Sequence, residues 1–127
     1  MGHQLLGTIG LDASTGTTNI AYYSTQNDPF LQRAQVFLSQ IPAGATKPNP
    51  AIALTSASTD PNIGIQDLIL QNAGNINFGD YIGLASAGTG SKAQSKIYVH
   101  YTWNNVFGIS NGTQQPDQNN TLLLFSY

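Results

Sequence analysis

Short segments rich in β-branched and aromatic residues recur between turn residues along the whole chain, and this pattern limits the fold more than any other feature. The clearest segment runs from Lys96 to Trp103. Every second residue from Ile97 to Trp103 is large and apolar, whereas His100 belongs to the alternate, more polar set. A period of two places one set on each face of a β-strand, and a helix would mix the two sets. The segment is therefore predicted to be a strand.

Six further segments have a similar character: Gln4–Leu11, Asn19–Ser24, Ala51–Ala57, Ile63–Leu70, Tyr81–Ala85 and Thr121–Tyr127. The segment Leu31–Ile41 fits both a helical stripe and a buried strand, and its Val36-Phe37-Leu38 centre and closing Pro42 favour a strand, with room for a helical turn before it. The stretches Ser86–Ser95 and Asn104–Asn120 are polar and are predicted to be long loops.

The length of 127 residues suits one domain with one core. Seven or eight short strands with regular turn signals are typical of a sandwich or barrel rather than of alternating strands and helices. The sequence therefore predicts an all-β, single-domain antiparallel β-sandwich over residues 1–127.

The composition argues against several classes of function. Only 8% of the residues are charged, with four Lys or Arg, six Asp, no Glu and no Cys, and the net charge is -2. Nucleic-acid binding depends on cations that neutralise phosphates, and catalysis depends on converging titratable groups, so we expect neither, and no cofactor. The longest apolar run, Leu122–Phe125, is far shorter than a membrane-spanning helix, and no signal peptide is recognisable.

One stretch contains the residue types of a glycan site. An aromatic ring can stack on a sugar face while amide groups bind its hydroxyls, and Trp103, Asn104, Asn105 and Phe107 lie close together in sequence. Trp103 shares the parity of Ile97 and is expected in the core. The candidate glycan or partner contacts are therefore Asn104, Asn105 and Phe107.

Oxygen-rich loop segments offer a weaker candidate for a calcium site. Asp60-Pro61-Asn62 and Asp117-Gln118-Asn119 contain suitable ligands, but Asp and Asn are also preferred in turns for their own backbone hydrogen bonds. His100 would need partners that spacing does not identify, and His3 is expected to be incidental. We predict no metal site. Asn111-Gly112-Thr113 and Asn119-Asn120-Thr121 match the glycosylation acceptor pattern and are expected to be exposed.

Three segments resemble jelly-roll proteins. Asn77–Leu84, with its Gly-Asp turn before a strand, is followed by the polar loop to Ser95 and by the aromatic strand that ends at Trp103. Together they resemble late strands of such domains in virus capsid, turret and decoration proteins and in trimeric heads of the C1q and tumour-necrosis-factor type. Thr121–Tyr127 is similar to the closing strand of those heads, which lies centrally in its sheet, and Gln40–Gly44 is a turn common in phage structural proteins. The resemblance covers about half the chain and implies an eight-stranded jelly roll.

The resemblance also implies a function. It predicts a non-enzymatic structural protein on the surface of a virus particle, with copies of itself and other virion proteins as partners. The first alternative is an extracellular filament or adhesin subunit, in which residues 1–12 act as an assembly strand that leaves its own sheet and Asp12–Thr18 is the joint. The second alternative is a lectin-like receptor-binding module.

Overall fold

The computed structural model describes residues 2–56, 58–59, 82–88, 95–110 and 113–126, and in residues 102–110 and most of 113–126 it describes the backbone alone. These residues contain seven strands: β1 (Gln4–Asp12), β2 (Thr17–Ser24), β3 (Gln35–Ile41), β4 (Ile52–Ala53), β5 (Gly83–Ala87), β6 (Lys96–Ser110) and β7 (Thr113–Ser126). No helix is present in them, which confirms the all-β prediction.

The strands form two antiparallel sheets. One sheet has the order β1-β2-β3-β4 and the other has the order β5-β6-β7. Neighbours in each sheet are also neighbours in the chain, whereas a jelly roll is built from Greek keys, in which a strand returns beside an earlier one. The eight-stranded jelly roll therefore stays a prediction, as does the single-domain assignment.

Alternating burial gives the two sheets a shared core. In β2, Ala21 and Tyr23 point inward opposite Leu38 and Val36 of β3. In β6, Ile97, Val99 and Tyr101 are buried while His100 is exposed, so the predicted period of two is confirmed over this part of the strand. The core cluster combines side chains from both sheets: Ala21, Tyr23, Ala34, Val36, Leu38, Ile82, Ile97, Val99 and Tyr101.

Two close contacts fix β1 and β2 against β5. A Cβ atom added at Gly10 would collide with Cδ2 of Leu84, so the leucine lies directly over the glycine. A side-chain amide also crosses between the sheets, because the fully buried Asn19 donates from Nδ2 to Oγ of Ser86 at 3.1 Å and accepts from Nε2 of Gln40 at 2.9 Å. A buried side-chain amide whose N–H and C=O groups both form hydrogen bonds avoids the free-energy cost of an unpaired polar group.

The ambiguous segment Leu31–Ile41 contains a strand, and the favoured interpretation is confirmed from Gln35 onward. In the residues that precede this strand, the Asp28 side chain stabilises a turn rather than a helix. Its carboxylate accepts hydrogen bonds from the N–H groups of Gln32 at 2.7 Å and Arg33 at 3.0 Å, and its carbonyl accepts from Leu31 at 3.0 Å. The two N–H donors, with Arg33 the larger contributor, lower the pKa of Asp28.

The strand predicted for Ala51–Ala57 is much shorter in the structure, where β4 covers Ile52–Ala53. The reason is that side chains replace part of the backbone ladder beside β3. Thr55 accepts from the N–H of Val36 through its hydroxyl at 3.1 Å, and its carbonyl accepts from Nε2 of Gln35 at 2.6 Å.

The long polar loop predicted for Asn104–Asn120 is wrong. Residues 104–110 continue β6 and residues 113–120 belong to β7, paired from Trp103↔Asn119 to Ser110↔Thr113. Cross-strand pairing along a hairpin overrides the weak strand preference of Asn and Gln. The other predicted strands are found with shifted ends, Tyr81–Ala85 as Gly83–Ala87, whereas Ile63–Leu70 lies outside the described residues.

Candidate functional site

The outer face of β1 carries large apolar side chains in contact with water. Ile9 is 69% exposed and Leu11 is 62% exposed. Both lie on the side of the sheet that faces away from the core, because they pair with Ile20 and Thr18, whose neighbours Asn19 and Ala21 point inward. The solvent-facing side of an antiparallel sheet is ordinarily polar, so the exposed apolar residues on this face are a candidate contact surface. We call Ile9 and Leu11 the β1 surface.

A β-bulge shapes the first half of this strand. The pairing with β2 shifts between Leu5 and Thr8, so β1 has one residue more than its partner in this stretch. Leu6 has φ of 48°, in the left-handed region that a leucine rarely adopts. Backbone strain of this kind persists where the surrounding structure holds it, and it is concentrated at functional positions.

Beside the bulge lies a shallow groove of about 340 Å³. Its lining combines the bulge with outward residues of β2 and β3 and with the following loop: Gln4, Leu5, Leu6, Gly7, Ile20, Tyr22, Ser39 and Pro48. Tyr22 stacks on Phe37 with ring centroids 6.0 Å apart, and its hydroxyl lies 3.4 Å from Oγ of Ser39. The lining has no charged residue and is largely apolar, so it suits an aliphatic or aromatic group.

The second sheet has an apolar outer surface of its own. Leu122 is 62% exposed and Leu124 is 56% exposed, opposite His100 and Tyr98 of β6. We call Leu122 and Leu124 the β7 surface. Within the described residues β7 pairs with β6 alone, so the central sheet position implied for Thr121–Tyr127 is not seen there. The β1 and β7 surfaces face away from the shared core on opposite sides.

Asp12 joins the end of β1 to the start of β6. Its Oδ1 accepts from N and Oγ of Ser14 at 2.9 and 2.6 Å, and its Oδ2 accepts from Oγ1 of Thr15 at 3.0 Å and Oγ of Ser95 at 2.6 Å. Hydrogen bonds from Ser14 and then Ser95 hold the pKa of the Asp12 carboxyl well below its usual range. A carboxylate engaged in this way acts as a structural tie between the sheets.

Asp12 begins the segment Asp12–Thr18, which the filament alternative requires as a joint, and in the structure this segment contains a tight turn between β1 and β2. The N–H of Gly16 donates to the carbonyl of Asp12 at 2.8 Å, and Gly16 has φ of 69°, which a glycine adopts without strain. The link from Asp12 to Ser95 spans 83 positions of the sequence and has no signal in it.

The candidate glycan residues lie in β6. Asn104 and Asn105 fall at the register shift between Trp103 and Val106, and Phe107 pairs with Pro116 of β7. A bulge at this point makes the backbone irregular where both asparagines are placed. The prediction that these residues contact a ligand stays untested.

The other candidates are placed as follows. His3 has an exposed side chain, and its backbone is held by Thr25, whose Oγ1 accepts from His3 N–H at 2.9 Å. Asp117-Gln118-Asn119 lies in β7, as does Asn119-Asn120-Thr121, so neither is in a loop. Asp60-Pro61-Asn62 and residues 111–112 lie outside the described residues. In the part of the chain that is described, no three His, Cys, Asp or Glu residues form a cluster that could hold a metal ion.

Residues 2–56, 58–59, 82–88, 95–110 and 113–126 include no helix long and apolar enough to cross a membrane. No family model matches the chain, and no curated protein or solved structure shows significant similarity to it.

Proposed function

We propose that the protein is a non-enzymatic structural subunit that works by symmetric self-assembly on the outer surface of a virus particle, as a capsid-associated, turret or decoration protein. In this proposal the two sheets form a β-sandwich whose core stabilises each subunit, while its outer faces make the contacts. The observation that carries the proposal is the exposure of Ile9 and Leu11 on one outer face and of Leu122 and Leu124 on the other.

The energy available from these surfaces supports an assembly role. Full burial of a Leu or Ile side chain contributes about 1.5–3 kcal/mol. Covering Ile9 and Leu11, each about two-thirds exposed, would then contribute roughly 2–4 kcal/mol per subunit. The β7 surface offers a comparable amount on the other side. Two separate contact surfaces are what a ring or a layer of repeated subunits requires.

The scarcity of charge supports the same role. With 8% charged residues, contacts between copies would depend on apolar burial and neutral hydrogen bonds. Such contacts respond little to ionic strength, because there are few charges for salt to screen. The virion setting itself comes from the jelly-roll resemblance of Asn77–Leu84 and Thr121–Tyr127.

Contacts made by β1 favour closed assembly over strand exchange. The filament alternative requires residues 1–12 to leave their sheet. Gly10 packs beneath Leu84, and Asp12 is tied to Ser95, so departure of β1 would break contacts between the two sheets. We therefore favour a subunit that keeps β1 and uses its outer face.

Light scattering on surface variants tests the proposal. Leu122→Thr combined with Leu124→Thr, and separately Ile9→Thr combined with Leu11→Thr, should each reduce the assembled mass, because each removes one apolar surface while keeping strand-forming residues. Phe30→Ser is the control, since Phe30 is 78% exposed but lies in the turn before β3. Unchanged mass in both double variants would contradict the proposal.

A further inference from the structure

We propose that two copies of this chain join edge to edge through residues Thr8 to Asp12 of β1, antiparallel across a two-fold axis at Gly10. This inference rests on the self-assembly proposed above and names one of its contacts. The two four-stranded sheets would then form one continuous sheet, with Ile9 of each copy opposite Leu11 of the other.

Among the described strands, β1 lies at the edge of its sheet. Within the described residues β1 pairs with β2 on one side, which makes β1 an edge strand. Alternate residues of an edge strand direct their N–H and C=O groups away from the sheet, and another β-strand matches this pattern of donors and acceptors. The chemistry of the edge therefore selects an extended peptide segment as its partner.

The bulge in β1 defines the register of the pairing between two copies. The irregular pairing ends at Thr8, and from Thr8↔Ala21 to Asp12↔Thr17 the strands pair residue by residue. The regular edge is therefore Thr8–Asp12, whose middle residue is Gly10. Pairing the whole regular edge of one copy with that of another places the two glycines opposite each other at the two-fold axis.

The Thr8–Asp12 edge is complementary to a second copy of itself. Residues at equal distance from Gly10 are similar, with apolar Ile9 and Leu11 next to it and polar Thr8 and Asp12 beyond. Residues directly opposite in an antiparallel pair lie on the same face, so Ile9 and Leu11 of two copies would cover each other on the outer face. A two-fold interface requires this kind of self-complementarity.

The charges also favour a second copy. Natural edge strands often carry Lys or other charges that prevent pairing, and Gln4–Leu11 contains no Asp, Glu, Lys or Arg. The Asp12 carboxylate is directed into its own chain, where Ser14, Thr15 and Ser95 donate to it. Two copies can therefore approach without repulsion between like charges.

The size of the contact predicts its strength. A stable two-protein interface buries about 800 Å² on each partner. A five-residue edge with two Ile–Leu pairs presents less than this, so the dimer should be weak and concentration-dependent, and should be reinforced by other contacts in a larger assembly. This is the behaviour expected of one contact among several in a symmetric particle.

Cysteine cross-linking tests the register, because the natural chain has no cysteine. Ile9→Cys and Leu11→Cys proteins would be oxidised separately and as an equal mixture. Directly opposite residues have Cα atoms about 4.5–5.5 Å apart, within disulfide range, whereas residues two positions out of register are about 7–8 Å apart. The mixture should therefore form disulfide-linked heterodimers in clear excess over the homodimers of either protein alone. Phe30→Cys in place of one partner is the control, because Phe30 is exposed in the turn before β3 and away from β1.

Placing a charged side chain on the β1 edge and measuring the dimer dissociation constant provides an independent test. Ile9→Lys should raise the dimer dissociation constant by roughly tenfold or more, because it removes one buried aliphatic side chain from each half of the contact and places two ammonium groups near each other. Phe30→Lys should leave this contact unchanged, because Phe30 is exposed in the turn before β3. Thermal unfolding by circular dichroism would verify that both variants remain folded.

The outcomes separate this inference from the proposed function. Cross-linking of the mixture together with weakened association of Ile9→Lys supports edge pairing. Self-association of the wild type with no excess of mixed disulfide, or with no effect of Ile9→Lys, overturns edge pairing and leaves the assembly proposal in place. A wild-type chain that is monomeric at every concentration overturns both.

Discussion

The packing of Leu84 over Gly10 gives a quantitative prediction about how the two sheets meet. Gly10→Ala places a methyl group where the Leu84 side chain lies. Overpacking of this kind costs about 1–3 kcal/mol. Replacing glycine by alanine in a strand gains about 0.5–1 kcal/mol from lower backbone entropy in the unfolded chain. The expected net loss of unfolding free energy is therefore about 0–2.5 kcal/mol.

A double-mutant cycle isolates the contact. Leu84 is half-buried, so Leu84→Ala should cost less than a fully buried leucine, roughly 1–2 kcal/mol. In the double variant the methyl group introduced by Gly10→Ala occupies part of the space that Leu84 leaves, so the two losses should not add. We expect a coupling free energy of about 1 kcal/mol or more, favouring the double variant.

Urea denaturation followed by circular dichroism measures all four proteins. Gly7→Ala is the matched control, because a Cβ atom at Gly7 meets no atom within 4 Å, and it should be neutral or slightly stabilising. If the Gly10→Ala and Leu84→Ala losses add to within about 0.5 kcal/mol, the two residues are not in contact and the proposed packing of β1 against β5 is wrong.

Three further predictions concern polar groups. The folded-state pKa of Asp12 lies below its usual value of about 3.9, so its contribution to stability is present above that pH and is lost as the pH falls below it. Asp12→Asn should therefore lower the melting temperature at pH 7 and flatten the dependence of the melting temperature on acid pH. A melting curve of the wild type that does not change from pH 7 to pH 2 would refute the role given to Asp12. Asn19→Ala should lose about 1–3 kcal/mol of unfolding free energy, because Gln40 and Ser86 each lose a partner, and a loss below about 0.5 kcal/mol in urea titrations would count against the bridge. If Asn104 and Asn105 bind glycans, substituting both with Ala should abolish signals on a glycan array, and a silent wild type would remove the lectin alternative.

The strands with strict alternation are predictable from the sequence. In β6 the residues Ile97, Val99 and Tyr101 repeat with a period of two, and the period survives in the structure because one face is buried against the other sheet. The prediction misses the hairpin of β6 and β7, although the two residues between Ser110 and Thr113 are Asn-Gly, a strong hairpin signal. The polar residues on either side of Asn-Gly lead to the loop prediction.

The candidate site depends on features that a sequence pattern does not record. Ile9 and Leu11 look like core residues of a strand, and the alternation gives no indication of which face is buried. The residues of β1 that alternate with Ile9 and Leu11 face the core instead, because Gly10 leaves room for Leu84 and Asp12 reaches Ser95. The bulge at Leu6 is also invisible to period-two reasoning, since it depends on how β1 pairs with β2.

The absolute mass in solution tests the central claim, that this chain is a self-assembling structural subunit, more directly than any other measurement. Light scattering after size-exclusion chromatography, at several concentrations, should give a mass that rises from 13.5 kDa to a discrete multiple of that value. Edge pairing predicts that the smallest assembled species is a dimer. A mass of one subunit at every concentration would contradict the account.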